Sequence, residues 1–149
     1  MTLFALLAHG QRASSGSCET LDKVVIQFVQ PTRTFRSLTL SDGCDFEVAT
    51  KDIDRISLSL TRHSTINDAK RSLKSDLTSF TAGDYLQPEQ KSQLVPINSD
   101  GYWDEAIAYR SRQPDHFMLL RKGKLEVTLM SSNFDILLRM ETLLRTIKF

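Results

Sequence analysis

An excess of charge of either sign is missing from this chain. Its 149 residues include 19 basic and 18 acidic side chains, which give a formal net charge of +1 at pH 7. Proteins that bind nucleic acids or anionic lipids usually cluster Lys and Arg on one surface. No apolar run in the sequence approaches the ~20 residues that a membrane-spanning helix needs. The sequence therefore predicts no nucleic-acid partner and no membrane span.

Motifs for catalysis and for metal binding are missing as well. The segment nearest to a serine-hydrolase elbow is ASSGSC, which lies outside any strand–turn–helix context, and there is no glycine-rich phosphate loop. His9, His63 and His116 are scattered, and none has metal-ligand spacing with a cysteine. His63 and His116 could each act as a lone base, but an isolated histidine is more often a solvated surface residue. We therefore expect no enzyme activity, no cofactor and no metal ion.

The amino terminus carries a short apolar segment in MTLFALLAHGQRA, followed by small and polar residues. This order resembles the apolar and cleavage regions of a secretory signal, although the basic region that usually precedes them is missing. We interpret residues 1–17 as a remnant of a signal or leader, with cleavage after Ala13. The alternatives are a buried first strand and a disordered leader. The composition, 40% hydrophobic and 25% charged, predicts a single globular domain over residues 18–149.

Cysteine is scarce, since Cys18 and Cys44 are the only two. An even number in a chain with a possible leader favours one disulfide between them. The alternative is two reduced, buried thiols in a cytosolic protein. Cys18 follows a Ser/Gly stretch and Cys44 follows Asp42-Gly43, and neither segment resembles a core strand. We therefore predict the disulfide and a periplasmic location.

Short runs rich in β-branched and aromatic residues recur along the chain between turn residues. The run at 55–62 alternates strictly between apolar and polar residues, as a half-buried strand does. The run at 124–131 follows a Gly123 turn and places Leu125, Val127 and Leu129 on one face. Eight strands are predicted, at 23–30, 34–40, 45–50, 55–62, 92–97, 105–112, 116–122 and 124–131.

The segment at 64–80 changes to the helical period. Thr65 and Asp68 suit a capping box, and Gly83 follows its end. Its apolar stripe, which we expect to be buried, consists of Ile66, Ala69, Leu73, Leu77 and Phe80.

A second helix is predicted at 132–149. Ser132 and Asp135 suit its amino-terminal cap, and Arg145 and Lys148 in its last turn complement the helix dipole. Its predicted buried face consists of Ile136, Met140, Leu143, Leu144 and Ile147.

The single tryptophan lies in a turn, SDGYWDE at residues 99–105, rather than in an apolar run. Aromatic side chains with a polar rim are frequent centres of protein–protein interfaces. The alternative is that Trp103 fills the core at the edge of the sheet, because a large aromatic is usually highly buried. The predicted partner-binding residues of this loop and of the preceding long loop are Asp100, Tyr102, Trp103, Asp104, Glu105, Tyr85 and Glu89.

The order of the elements predicts an α+β fold in which helices flank a central antiparallel sheet. This order, carried by TFRSLTLSDGCDFEVAT, INDAKRSLKSDLTSF and ILLRMETLLRTIKF, resembles the PsbP-like fold, an α/β/α sandwich. A small exported protein of this size is also similar to the periplasmic immunity proteins that bacteria keep against their own type VI secretion effectors.

These resemblances imply a function in binding rather than catalysis. The expected function is that of a monomeric immunity protein, which neutralises a secreted peptidoglycan-degrading hydrolase by occluding its substrate groove. The alternative is a periplasmic accessory or ligand-binding protein of the PsbP-like kind, which would need a concave apolar pocket with a few polar groups.

Overall fold

The computed structural model describes Cys18 and residues 34–39, 43–49, 56–82, 94–111 and 115–149. Within these residues there are seven strands and two helices. The strands are β1 (Thr34–Thr39), β2 (Gly43–Ala49), β3 (Ile56–Arg62), β4 (Leu94–Val95), β5 (Glu105–Tyr109), β6 (His116–Lys122) and β7 (Leu125–Ser131). The helices are α1 (Ile66–Thr81) and α2 (Phe134–Leu144). The strand predicted at 23–30, the leader at 1–17 and Gly83 lie outside the described residues.

The seven strands form one antiparallel sheet with the order β1-β2-β3-β7-β6-β5-β4. Strands β1 to β3 form one meander and β4 to β7 form another. The two meanders meet where β3 pairs with β7, with Leu58 opposite Leu129. Helix α1 follows the first meander in the sequence, and β7, the last strand in the sequence, lies between β3 and β6 within the sheet.

One face of the sheet packs against α2. The alternation predicted for β3 and β7 is confirmed, since Ile56, Leu58 and Leu60 are buried on this face, as are their partners on β7. The part of α2 in the same cluster consists of Phe134, Ile136, Leu137, Met140 and Leu144.

Helix α1 packs against the opposite face, over β6 and β7. Leu73 contacts an aromatic group in which the Phe117 ring lies 4.9 Å from Phe80 and 5.0 Å from Tyr109. Offset and tilted aromatic pairs at such distances contribute beyond their buried area. The sheet therefore lies between two helices, and the predicted α+β class with a flanked antiparallel sheet is confirmed.

The cap predicted for α1 is confirmed. Thr65 is the N-cap, and its hydroxyl oxygen accepts a hydrogen bond from the Asp68 backbone N–H at 3.0 Å. The predicted apolar stripe is buried at Ala69 and Leu73 and half-buried at Leu77 and Phe80, but Ile66 is exposed. Ile66 is the first residue of the helix and lies a turn before Ala69, where burial begins.

The bounds and the cap of α2 correct the sequence prediction. Asn133, not Ser132, is the N-cap, and its side-chain oxygen accepts from the Asp135 N–H at 3.1 Å. Strand β7 extends to Ser131, and the N-cap of the helix lies one residue later than predicted. The helix ends at Leu144, which leaves Arg145 as the C-cap rather than in the last turn. Lys148 also lies beyond the helix, and Leu143 is only half-buried.

Two strands are shorter than predicted. Strand β4 has two residues and stops before Pro96, because proline cannot donate to a strand ladder. Strand β5 ends at Tyr109, opposite Phe117, near the start of β6. Gly43, predicted in a turn, is instead the first residue of β2. A side chain there would meet the Leu60 carbonyl oxygen at 1.8 Å, so only glycine fits this close approach of strands.

The predicted disulfide between Cys18 and Cys44 is present, with Cα atoms 5.9 Å apart. Both residues are buried in the cluster that includes β3 and α2. The disulfide therefore joins Cys18 to strand β2 of the sheet. Stable disulfides are typical of compartments outside the reducing cytosol. Within the described residues, neither helix is long and apolar enough to cross a membrane.

Candidate functional site

The loop that contains the tryptophan, which we call the aromatic loop (residues 99–105), is a tight turn. Asp100 and Gly101 have positive φ angles of 51° and 74°, and the Tyr102 N–H donates to the Ser99 carbonyl at 2.9 Å. Two consecutive positive φ angles are typical of a turn that only Gly, Asn and Asp adopt readily. The Asp-Gly turn predicted from the sequence is therefore confirmed.

Trp103 is the buried residue that anchors the aromatic loop, with 5% of its surface exposed. Its indole N–H donates to Glu141 Oε1 on α2 at 2.7 Å, and its ring lies 6.1 Å from the Phe149 ring. Of the two alternatives that the sequence left open, the structure has the one in which Trp103 fills the core. The Trp103 indole is therefore not available to insert into a partner.

Tyr102 ties the aromatic loop to the segment that follows α2. Its hydroxyl donates to the Ile147 carbonyl at 2.6 Å, and its ring meets the Trp103 ring edge-on at 4.9 Å. The Lys122 ammonium lies 3.4 Å from the centre of the Tyr102 ring, a cation–π contact. One edge of the half-buried Tyr102 ring thus packs inward, while Lys122 covers its face.

Asp104 and Glu105 neutralise a buried cation. Arg121 on β6 has only 5% of its side chain exposed, and its guanidinium contacts Asp104 Oδ2 at 3.0 Å and Glu105 Oε1 at 3.2 Å. Asp104 Oδ2 also accepts from the Gly123 backbone N–H at 2.7 Å. A buried guanidinium without a partner would be strongly destabilising, so these two acids serve the fold as well as the surface.

Asp100 is the outermost acid of the aromatic loop. Its side chain is 76% exposed, and its carboxylate forms an ion pair with Arg145 at 3.3 Å. Arg145 in turn lies 3.1 Å from the buried Glu141 carboxylate. The side chain of Asp104 is 51% exposed despite its contact with Arg121. The loop therefore presents two carboxylates to solvent from a rigid turn.

The structure brings together five of the seven residues predicted from the sequence to bind a partner. Asp100, Tyr102, Trp103, Asp104 and Glu105 all lie in the aromatic loop, and Trp103 is the member that is buried. Tyr85 and Glu89 lie outside the described residues, so their role in binding stays a prediction.

A second polar cluster, formed by His63, Asp76 and Glu126, was missed in the sequence. His63, expected to be solvated, has 16% of its side chain exposed, and its Nε2 lies 2.7 Å from Glu126 Oε2. Glu126 is buried on β7, on the face that α1 covers. The signal was the alternation of β7: Leu125 and Val127 point to one face, so Glu126 points to the other. That this face is also covered could not be read from one strand.

The pKa of Asp76 on α1 is raised above its usual value. Burial is the main cause, and the neighbouring Glu126 carboxylate adds to it by charge repulsion and by a hydrogen bond between the two carboxyl groups, while His63 opposes the shift. Carboxyl groups that share one site favour the form in which one of them is protonated. The cluster therefore holds a proton that an isolated aspartate would lose.

His116, the other histidine considered as a base, is the first residue of β6, and its ring contacts Phe134 on α2. The ring centres are 5.7 Å apart, and the Arg110 guanidinium lies 4.5 Å from the centre of the same Phe134 ring. Burial and the Arg110 charge lower the pKa of His116, and Asp115 partly offsets them. Within the described residues, no group of three or more His, Cys, Asp and Glu side chains could hold a metal ion.

Comparison with known proteins identifies no relative: no protein-family model, curated protein or solved structure matches the chain. The resemblance to the PsbP-like fold and to periplasmic immunity proteins stays a prediction that rests on the order of the elements and on the size of the chain.

Proposed function

We propose that this chain is an exported binding protein of the immunity type. In this proposal it neutralises a secreted peptidoglycan-degrading enzyme in the periplasm by covering the substrate groove with the aromatic loop. The buried disulfide supports an exported location, because such bonds form and persist in oxidising compartments.

The observation that carries the proposal is the set of hydrogen bonds that hold the aromatic loop in place. Three separate elements hold it: α2 through Trp103, the segment after α2 through Tyr102, and the β6–β7 turn through Asp104. A loop that is already ordered loses little conformational entropy when it binds, and this raises affinity without new contacts. Rigid protruding loops are what a steric inhibitor needs.

The exposed part of the loop is acidic, and this suits a groove that binds anionic groups. Peptide stems of peptidoglycan carry free carboxylates, so a groove that binds them must offer cations or hydrogen-bond donors. Asp100 and Asp104 would meet those groups in place of substrate. Trp103 then acts through the fold, by fixing the position of these carboxylates, rather than by touching the enzyme.

An inhibition assay tests the proposal. Secreted peptidoglycan hydrolases of the producing organism are assayed one by one on purified sacculi, with and without this protein. We expect one of them to be inhibited at a near-stoichiometric ratio. Asp100→Asn should weaken that inhibition, mainly through slower association at low ionic strength, because exposed charges chiefly steer encounter. Asparagine also tolerates the positive φ at this position.

Asp135→Asn is the matched control, since Asp135 is another exposed aspartate but lies at the start of α2. It should inhibit like the unchanged protein. Inhibition of no hydrolase, or an equal effect of the two substitutions, would contradict the proposal. Specific saturable binding of a small molecule without any inhibition would favour the ligand-binding alternative instead.

A further inference from the structure

The cluster of His63, Asp76 and Glu126, which we call the His63 cluster, joins three elements of the fold. Glu126 belongs to β7, Asp76 to α1, and His63 lies in the short connection between β3 and α1. The backbone N–H of His63 also donates to the Lys124 carbonyl at 2.9 Å. The cluster therefore lies where the chain leaves the sheet after β3 and where α1 packs over β7.

One oxygen of Glu126 lacks a hydrogen-bond donor. Oε2 is bound by His63 Nε2 at 2.7 Å, whereas Oε1 is enclosed and has no partner among the ionised side chains. Leaving a buried acceptor without a donor is costly. The Asp76 carboxyl contacts the Glu126 carboxyl, but two carboxylates have no proton to share. A proton on Asp76 supplies the missing donor.

The cross-strand partner of Glu126 is a cation, Arg121 on β6, but it does not hydrogen-bond Glu126. Arg121 Nη1 and Nη2 contact Asp104, Glu105 and the Gly123 carbonyl, and its buried Nε has no hydrogen-bond partner. His63, from the β3–α1 connection, is the side chain that hydrogen-bonds Glu126. A proton on Asp76 reduces the net negative charge enclosed between α1 and β7.

We propose that the His63 cluster is a proton-binding device that holds helix α1 to the sheet more firmly in acid than at neutral pH. When Asp76 is protonated it donates to Glu126, and α1 and β7 are joined by a hydrogen bond. When Asp76 is ionised, the two carboxylates repel each other across the same interface, and α1 opens more readily.

The direction of the pH dependence follows from the Asp76 carboxyl. Its pKa in the folded protein lies above the 3.8 of an unperturbed aspartate, so between these two values the folded state binds a proton that the unfolded state has lost. Stability from this group is complete below 3.8 and is lost as the pH rises through the folded pKa.

Amide hydrogen exchange measures the opening of α1 directly. Protection factors of α1 amides, corrected for intrinsic rates, are compared with those of α2 in the same molecule at about pH 3.5 and about pH 7.5. From acid to neutral pH we expect the α1 protection to fall relative to α2 by about two- to tenfold, the effect of one net hydrogen bond on an opening equilibrium. An unchanged ratio would overturn the proposal.

Two substitutions on α1 separate the cluster from general charge effects. Asp76→Asn is neutral at every pH and can donate its amide N–H to Glu126, so it should raise α1 protection at neutral pH and weaken its pH dependence. Asp68→Asn is the matched control on the same helix: hydrogen bonds to Thr65 and Arg71 lower the pKa of Asp68, so its loss should reduce α1 protection at neutral pH.

A measurement on the unchanged protein covers the case in which a variant fails to fold. The carboxyl ¹³C shift of Asp76 is followed by NMR through an acid titration. A midpoint above 3.8 supports the proposal, and a midpoint at or below 3.8 refutes it. An Asp76→Asn protein whose α1 protection changes with pH as much as that of the unchanged protein would refute it as well.

Discussion

Trp103 is the residue of the aromatic loop whose replacement should cost the most stability. Trp103→Ala removes a buried indole, and truncation of a buried aromatic typically costs about 3–5 kcal/mol. It also removes the hydrogen bond to Glu141, which is a bond to a charged acceptor. Glu141 keeps its ion pair with Arg145, so the carboxylate is not left without any partner. We therefore expect a loss within that range rather than above it.

Trp103→Phe isolates the hydrogen bond from the packing. Phenylalanine keeps most of the apolar volume but cannot donate to Glu141, and the loss of a bond to a charged group costs about 1.5–3 kcal/mol. The two variants should therefore be ordered, with Phe between Ala and the unchanged protein. A double substitution with Glu141→Gln would show whether the effect acts through this pair, because contacting residues are not additive.

Urea unfolding with the disulfide intact provides the measurement. Circular dichroism must replace fluorescence, because Trp103 is the only tryptophan. For a slope of about 2 kcal/mol per molar, Trp103→Ala should lower the midpoint by about 1.5–2.5 M urea. A loss of unfolding free energy below about 1 kcal/mol for Trp103→Ala, or no difference between the two variants, would mean that Trp103 does not anchor the loop in the core.

Three further predictions concern the rest of the fold. Reducing the Cys18–Cys44 disulfide, which spans 26 residues, should lower the free energy of unfolding by about 3–4 kcal/mol. An unchanged urea midpoint in reductant would contradict this prediction. Leu144→Ala on the buried face of α2 should lower the free energy of unfolding by about 2–5 kcal/mol, whereas Leu138→Ala on its exposed face should lower it far less. Equal losses would mean that the buried face of α2 is assigned incorrectly. Asp68→Asn should destabilise at neutral pH, because the Thr65 hydrogen bond lowers the Asp68 pKa; its deficit should disappear as the pH falls below 3.8, which unfolding across a pH series would show.

Local patterns in the sequence predicted most of the helices and strands, because the formation of each depends mainly on residues that are close in sequence. Strand β6 at His116–Lys122 has the predicted bounds, and the strict alternation at 55–62 identified β3 within one residue. The Thr65 cap and the Asp-Gly turn were predicted for the same reason: each is specified by a few residue types at fixed spacing. The disulfide was predicted because Cys18 and Cys44 are the only two cysteines. The position of β7 between β3 and β6 could not be predicted, since it depends on pairing across the whole chain.

The site was harder to predict because burial depends on contacts distant in sequence. Trp103 follows a turn, which suggests exposure, but Glu141 of α2 and Phe149 enclose it from 38 and more residues away. His63 reads as a surface residue until α1 is placed over Glu126. In both cases the residue type was noticed, and the partner that determines its role lay in an element whose position the sequence did not specify.

Footprinting on a bound hydrolase tests the central claim, that the aromatic loop is a preformed binding surface, most directly. The protein is saturated with a hydrolase that it inhibits, and amide exchange is compared with and without the enzyme. We expect added protection at residues 99–104 and in the neighbouring turn at Gly123, with little change on α1. Protection confined to α1, or to residues remote from the aromatic loop, would contradict it.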